Sequence, residues 1–406
     1  MSKTCAGAIA PIIVANPASE RRALVNWLVP KQPWQLVVCA VVLFASGFQG
    51  CGGGPSGSTT PPPPPPSPTP TFTTIDAAGA GTQGFQGTYP IQVNASGEIA
   101  GTVIDAQTSE HGFIRDTAGV VTEFDEPNAI PAPNFGTTVS GLNNSGEVVG
   151  GFQYVDPNTH LEVSSGYVRT PDGTFTAVPG PPNTLTTLSC VNDAGEFGGF
   201  EISSTSVAGF IGELGQQLEM FPLPNIGAGA QTFTQGCKLN ASGVMAGDAT
   251  DSNSVVHGFL RNTDGTLTAI DVNGAGTTPL AGTYAYGINA SGEIVGTVDA
   301  AGVSHAFTRA ADGTITTFDP PGAGAAGSQG LGINDSGEIV GRYVDANGVT
   351  HGFLRDSSGT YTVLDDPDAS QMPSSQGTQA YYINNGGTII GVYYDAAGTE
   401  HGFVRQ

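Results

Sequence analysis

Five of the chain's six histidines carry a carboxylate at a fixed distance. His111, His257, His305 and His351 are each followed fourteen residues later by Asp125, Asp271, Asp319 and Asp365. His401 lies too near the end of the sequence for that partner, but Asp76 holds the matching repeat position at the start of the repeat region. Where the histidine is replaced the aspartate goes with it, as in Ser165 with Pro179 and Ala208 with Pro222. An imidazole beside a carboxylate can move a proton, hold a metal ion, or be locked in one orientation. Catalysis needs one such pair per molecule. Five copies at one spacing read as structural pairs that tie two strands together. A ring of metal sites is the alternative; the pattern itself assigns no metal and no cofactor.

A second charge pattern runs beside the first. Setting DANG (345–348) as a hairpin loop puts Glu338 opposite Arg355, Val340 opposite Phe353 and Gly341 opposite Gly352. The same register joins Glu98 to Arg115, Glu147 to Arg169 and Glu293 to Arg309. These read as cross-strand ion pairs within one sheet. The facing glycines read as room for a side chain from a neighbouring sheet. Three repeats lack one partner, at Gly212, Val244 and Thr388.

The common catalytic signatures are missing. There is no H-E-x-x-H, no P-loop, no G-x-S-x-G and no calcium loop of the D-x-D-x-D-G type. The one loop that departs from the repeat is 154–164, with Asp156, His160 and Glu162. Aromatic residues near the start of each repeat, together with that loop, form the candidate ligand rim: Phe85, Tyr89, Phe135, Tyr154, His160, Phe233, Tyr284, Tyr286 and Tyr381. Cys190 and Cys237 precede equivalent asparagines by two and three residues. They read as two buried free thiols, because strands of adjacent repeats usually hold such Cα atoms too far apart to bridge. A disulfide is the alternative in an oxidising compartment.

The elements that must position these groups are repeats. An Asn followed by a small-residue turn recurs at 94, 143, 192, 240, 289, 334 and 384, at intervals of 45 to 50 residues. Each is followed by a tripeptide such as HGF (111–113), HAF (305–307) or HGF (401–403), then by a β-branched run such as ITTFD (315–319). Alternating segments bounded by Asn, Asp and Gly predict four antiparallel strands per repeat. In the sixth repeat these are 331–334, 338–344, 350–355 and 360–365. Four strands per 45 to 50 residues is the size of a propeller blade. Residues 71–76 read as a fourth strand with no predecessor, and 401–406 as a third strand with no successor. The expectation is an all-β, seven-bladed β-propeller over residues 71–406, closed by its N-terminal strand. Closure removes the exposed sheet edges.

In this region the chain resembles the bacterial extracellular repeats known as the HAF family. His305-Ala306-Phe307 is the literal tripeptide, and Ile288-Asn289 through Gly296 and Ile333-Asn334 through Gly341 match the segment upstream of it. The third repeat departs, with Ala208-Gly209-Phe210. The resemblance implies an exported bacterial protein and no particular activity.

Ahead of the repeats, residues 35–48 are an apolar run of fourteen behind Lys31. That is too short to span a bilayer but suits a signal peptide, read here as residues 1–50. Gly50-Cys51 resembles a bacterial lipobox, so Cys51 is the expected lipidation site and the membrane an expected partner through that lipid. Residues 51–70, rich in Gly and with six consecutive prolines, read as a semi-rigid stalk. The expected location is the outer membrane or cell surface, with secretion as the alternative. The net charge is −23, and the leader holds most of its charge as Lys3, Arg21, Arg22 and Lys31. The repeat region is therefore strongly acidic, which excludes nucleic acid as a partner. The functional expectation is a non-enzymatic, envelope-anchored binding or scaffold propeller, probing an envelope protein or glycan as a monomer. The alternative is a hydrolase or lyase acting on extracellular polysaccharide.

Overall fold

The computed structural model describes residues 70–155, 162–181, 184–203, 207–223, 236–300, 302–372 and 376–406. The leader, Cys51, the stalk, Asp156, His160 and Phe233 lie outside the described residues. Among the described residues the chain is all β, with 28 strands and no helix.

The fifth repeat illustrates how sequence becomes structure. Gly282–Ile288 pairs with Ile294–Ala300, which pairs with Val303–Arg309, which pairs with Ile315–Phe318, all antiparallel. The first turn is built by Asn289, whose carbonyl accepts the Gly292 N–H at 3.0 Å, with Gly292 at φ 81°. That left-handed conformation is open to glycine at no steric cost. The same meander recurs along the chain. Several successive meanders are joined by a single parallel bridge from the third strand of one to the first strand of the next, such as Val256 with Gly282 and Ser304 with Gly327. A Cβ at Gly282 would stand 2.0 Å from the Val256 carbonyl oxygen, so only glycine lets the two backbones meet there.

The first strands in six repeats carry a one-residue bulge, as between Ala285 and Gly287 or Leu188 and Cys190. Cys237–Leu239 pairs with Met245–Thr250 without one. Phe72–Ile75, from the start of the repeat region, pairs in a four-residue antiparallel register with the last strand, Glu400–Arg405, joining Ile75 to Gly402 and Phe72 to Arg405.

The core lies between sheets and is dominated by one ring per repeat. Phe113, Tyr167, Phe210, Phe259, Phe307, Phe353 and Phe403 are at most 1% exposed. Each sits opposite a glycine on the second strand, such as Gly296 for Phe307 and Gly341 for Phe353. A Cβ at Gly341 would lie 2.8 Å from the Phe353 ring. At Gly341 the space is used within the sheet, whereas at the third-strand glycines Gly166 and Gly402 it is taken by Leu188 of the next repeat and by Pro90 of the first.

That pairing corrects the expected register. Ile339, not Glu338, faces Arg355, and Gly341 faces Phe353 where Gly352 was expected. The hairpin is one residue longer than DANG, since Asp345 and Val349 close it through the Asp345 N–H. A one-residue slip reverses which face each side chain occupies. The ion pairs Glu98–Arg115, Glu147–Arg169, Glu293–Arg309 and Glu338–Arg355 do not form. The sixth first strand is also longer than expected, Ala323–Ile333.

The two cysteines are corrected as well: Cys190 and Cys237 form a disulfide, with Cα atoms 5.6 Å apart. Because the fourth repeat lacks the bulge, Cys237 faces Gly247, the place taken by Ala285 opposite Gly296 in the fifth. That turns it into the space between sheets, against Cys190, Phe200 and Met245.

Candidate functional site

The third strand begins, and the fourth ends, at one end of each meander, so His and Asp meet there. Nδ1 of His111 lies 3.0 Å from Asp125, that of His257 2.8 Å from Asp271, and that of His305 2.7 Å from Asp319. His351 reaches Asp365 at 3.0 Å and His401 reaches Asp76 at 2.9 Å. In the second repeat, Ser165 donates instead to the Gly166 carbonyl.

The structure adds a carboxylate that the sequence reading overlooks. Six residues before each of the five histidines stands an aspartate, Asp299 before His305; the other four, Asp105, Asp251, Asp345 and Asp395, stand at the turn between second and third strands. Their Oδ2 atoms lie 3.6, 3.8, 3.7 and 3.7 Å from the histidine Nε2. Their Oδ1 atoms accept the N–H groups two and four residues on, for example Gln107 and Ser109 from Asp105. Burial works against the His111 charge, but the hydrogen bond and charge of Asp125, then of Asp105, raise its pKa above the ordinary value. Backbone donation, led by the Val349 N–H, holds Asp345 below the usual carboxylate range. Tyr343 and Tyr393 stack on His351 and His401 at 5.1 and 4.9 Å. Among the described residues no group of three or more His, Cys, Asp or Glu is placed to hold a metal together.

The opposite end carries the asparagines. Each is buried, and its Oδ1 accepts backbone N–H groups two and four residues later, as Asn94 does from Ser96 and Glu98. Each Nδ2 donates to the backbone carbonyl of the next repeat's asparagine. The relay runs Asn94, Asn143, Asn192, Asn240, Asn289, Asn334, Asn384 and back to the Asn94 carbonyl, at 2.9 to 3.4 Å. Glu98, Glu147, Glu196 and Glu338 accept the second Nδ2 proton of their own asparagine. That is where three of the expected ion-pair glutamates, Glu98, Glu147 and Glu338, go. Two of the arginines reach the preceding repeat instead: Arg169 lies over Phe124 at 4.7 Å and Arg355 over Phe318 at 5.0 Å. Arg261 pairs with Glu219 in the same way. A cavity of about 150 Å³ opens inside the relay, with Gln92 and Tyr382 deeper in it and Asp193 and Asp335 at its edge.

One set of polar side chains breaks the repeat. Arg342 donates from Nε to Gln329 Oε1 at 2.7 Å and from Nη1 to Gln379 Oε1 at 2.5 Å. Tyr381 donates to the same Gln379 oxygen at 3.1 Å. At the positions equivalent to Arg342 stand Thr102, Gly151, Phe200, Asp248, Thr297 and Val392. Tyr284 and Tyr286 stack at 5.7 Å, and burial lifts the pKa of both hydroxyls far above the ordinary value. The matching first-strand positions in the second and third repeats are small: Thr138, Ser140, Thr187 and Ser189. Of the expected rim residues, Tyr284 is buried with its hydroxyl donating to Leu280 O, and Tyr154 packs on Phe152 at 5.4 Å. Phe85, Tyr89, Phe135 and Tyr381 are half-buried near or on first strands.

No protein-family model and no curated protein matches this chain. Solved structures do. Virginiamycin B lyase from Staphylococcus aureus aligns with TM-score 0.52 at 13% identity, over 82% of this chain and 99% of the lyase. The β-propeller domain of the Trilobed protease from Pyrococcus furiosus aligns with TM-score 0.51 at 9% identity, over 80% of this chain and 94% of that domain. Acylaminoacyl peptidase from Pyrococcus horikoshii aligns with TM-score 0.50 at 9% identity; the chain spans about half of it, 51%. At these identities the likeness speaks for the fold alone: the chain has a β-propeller fold.

Proposed function

We propose that residues 71–406 form a seven-bladed propeller closed by the N-terminal strand. On this reading it is an exported, envelope-anchored binding or scaffold module, lipidated on Cys51 and lifted from the membrane by the stalk. The seven-membered asparagine relay that returns to Asn94 supports the ring. The binding reading is carried by one observation: Arg342, Gln329, Gln379 and Tyr381 form a single-copy polar set, with Tyr284 and Tyr286 on the preceding blade. One ligand per ring needs a feature that occurs once. Tyrosine faces with amide and guanidinium donors suit the hydroxyls of an envelope glycan. A pull-down of envelope polysaccharides by the full chain tests this. Binding that weakens at least about tenfold in Arg342→Ala supports the site; equal capture by parent and variant removes it. The anchor has its own test. Cys51→Ala releases the protein from the membrane fraction, and unchanged membrane association without an acyl mass on Cys51 rejects lipidation.

The second reading, a hydrolase or lyase on the propeller, is favoured by the fold neighbours: virginiamycin B lyase is matched over 99% of its length. Incubation with extracellular polysaccharides decides between the readings. New reducing ends or unsaturated products mean catalysis, and retention of intact polymer means binding.

A further inference from the structure

We propose that the single-copy set around Arg342 binds a carboxylate, and that its ligand is an acidic, uronate-bearing glycan seated with that carboxylate on the open side of the Arg342 guanidinium. The inference rests on the glycan-binding reading of the same set and narrows its ligand class.

The first observation is where the positive charges stand. Eight basic residues lie beyond residue 50, and six of them, Arg115, Arg169, Arg261, Arg309, Arg355 and Arg405, end third strands. The other two are Lys238 and Arg342. Lys238 leaves the first strand of the fourth repeat, and its Nζ lies 5.9 Å from the ring of Tyr382 in the seventh. Tyr382 lines the cavity inside the asparagine relay. On the proposed ring those two repeats face one another across the centre, so Lys238 reaches into it. Arg342 stands on a second strand but bonds to the first strands of two repeats, through Gln329 and Gln379. In a strongly acidic chain, both cations that leave the repeat position are thus placed at the first strands, which on the proposed ring are innermost.

The second observation is what Arg342 has left to give. A guanidinium carries five N–H groups. Nε–H goes to Gln329 Oε1 and one Nη1 proton to Gln379 Oε1. Among the described residues the other three, one on Nη1 and two on Nη2, meet no protein acceptor, and no carboxylate lies within ion-pair distance of Arg342. The side chain is half-buried, so the two glutamines hold the fork in place and leave one side open. Gln379 Oε1 also accepts from Tyr381, which fills its two lone pairs. A neutral sugar brings hydroxyl protons in need of acceptors, and this one is full. What the set offers is N–H donors and a positive charge, in a planar fork that matches the two oxygens of a carboxylate.

The carboxylates whose charge reaches Tyr286, beside Arg342, are Asp248 and Asp299. Asp248 is 1% exposed, and Asp299 accepts the Gly302 N–H; neither bonds to Arg342. Tyr286 stacks with Tyr284, and an aromatic face next to the fork gives a pyranose ring an apolar surface. That favours a sugar acid over an acidic peptide. The acidic exterior repels any anion at a distance, and about 0.15 M salt screens that repulsion beyond about 8 Å.

The test is equilibrium binding of the full chain, at about that salt concentration, to three soluble polymers. They are alginate, which is a polyuronate, the same alginate with its carboxyl groups reduced to alcohols, and polyglutamate. The parent is expected to bind alginate at least about tenfold more tightly than the reduced polymer, the scale of one charge-assisted hydrogen bond. Arg342→Gln is expected to lose that preference and Arg342→Lys to recover part of it. The comparison of the two polysaccharides on the parent needs no variant, so it decides even where a substitution disturbs folding. Equal binding of both by the parent overturns the carboxylate and leaves glycan binding standing. Binding of neither overturns the proposal, while the envelope pull-down still decides the broader reading. A preference that survives in Arg342→Gln overturns the seat, and tighter binding of polyglutamate than of alginate overturns the glycan.

Discussion

Asp366 follows the aspartate paired with His351, and it is 3% exposed. Its N–H donates to Thr378 Oγ1, as Ala77, Glu126 and Val272 donate to Thr88, Thr137 and Thr283. The backbone role needs no side chain, and the first repeat uses alanine. Asp366 Oδ1 accepts the Asp368 N–H, but Oδ2 is buried without a partner. Burial raises its pKa, against the help of that N–H. A carboxyl whose folded-state pKa is raised binds its proton more tightly folded than unfolded. It therefore costs stability at neutral pH, and the cost disappears as pH falls through the folded value. Asp366→Ala is expected to stabilise by about 1 kcal/mol at pH 7 and by little near pH 4. Denaturant melts at the two pH values check this; a stabilisation that does not shrink in acid contradicts it. At this scale the fourteen-residue His-to-Asp spacing is legible because the hairpin between third and fourth strands keeps its length. The aspartate six residues before the histidine hides among ordinary turn aspartates. Arg342 gives no sequence signal except that it stands outside the arginine position at the end of the third strand.

Strands and their turns are legible wherever alternation and Asn/Asp-Gly signals agree, which covers most of each meander. Register is not, because it depends on whether a turn holds four residues or five, and both readings of DANG satisfy the glycine. The bulge is invisible for a similar reason: it adds a residue to a strand without changing its composition. Its absence from the fourth repeat is what brings Cys237 against Cys190, so the disulfide is equally hidden. That bond joins first strands of two successive repeats across 47 residues of chain. It staples the third repeat, which lacks the His–Asp pair, to the fourth. The loop-entropy model gives roughly 4 kcal/mol for a crosslink of this span. A Cys190→Ser, Cys237→Ser variant is expected to lose about 2–4 kcal/mol in denaturant unfolding, with a parent chain under reductant behaving alike. A double variant as stable as the oxidised parent would mean that packing against Phe200 and Met245 suffices without the bond.

The whole molecule rests on how its ends meet. On the proposed ring, the last blade takes three strands from the C-terminal end of the chain and its fourth from Phe72–Ile75. That strand brings three contributions. It supplies backbone partners along Gly402–Arg405, it buries Ile75 to 1% exposure, and it delivers Asp76 to His401. Phe72 also packs on Phe403 at 5.2 Å. Removing Thr71–Asp76 therefore bares one edge of a strand that is otherwise paired on both sides, and it empties a core position. Exposed edges recruit other chains. The deletion is expected to lower the melting temperature by several degrees and to shift the protein toward aggregates in size exclusion. A useful comparison is deletion of six residues of the proposed stalk, which is expected to melt like the parent. The likeness of residues 71–76 to the fourth strands elsewhere makes the pairing of Phe72–Ile75 with Glu400–Arg405 legible in the sequence. If the Thr71–Asp76 deletion melts and elutes like the stalk deletion, the pairing of the two ends does not hold the molecule together, and the closed ring is the wrong reading.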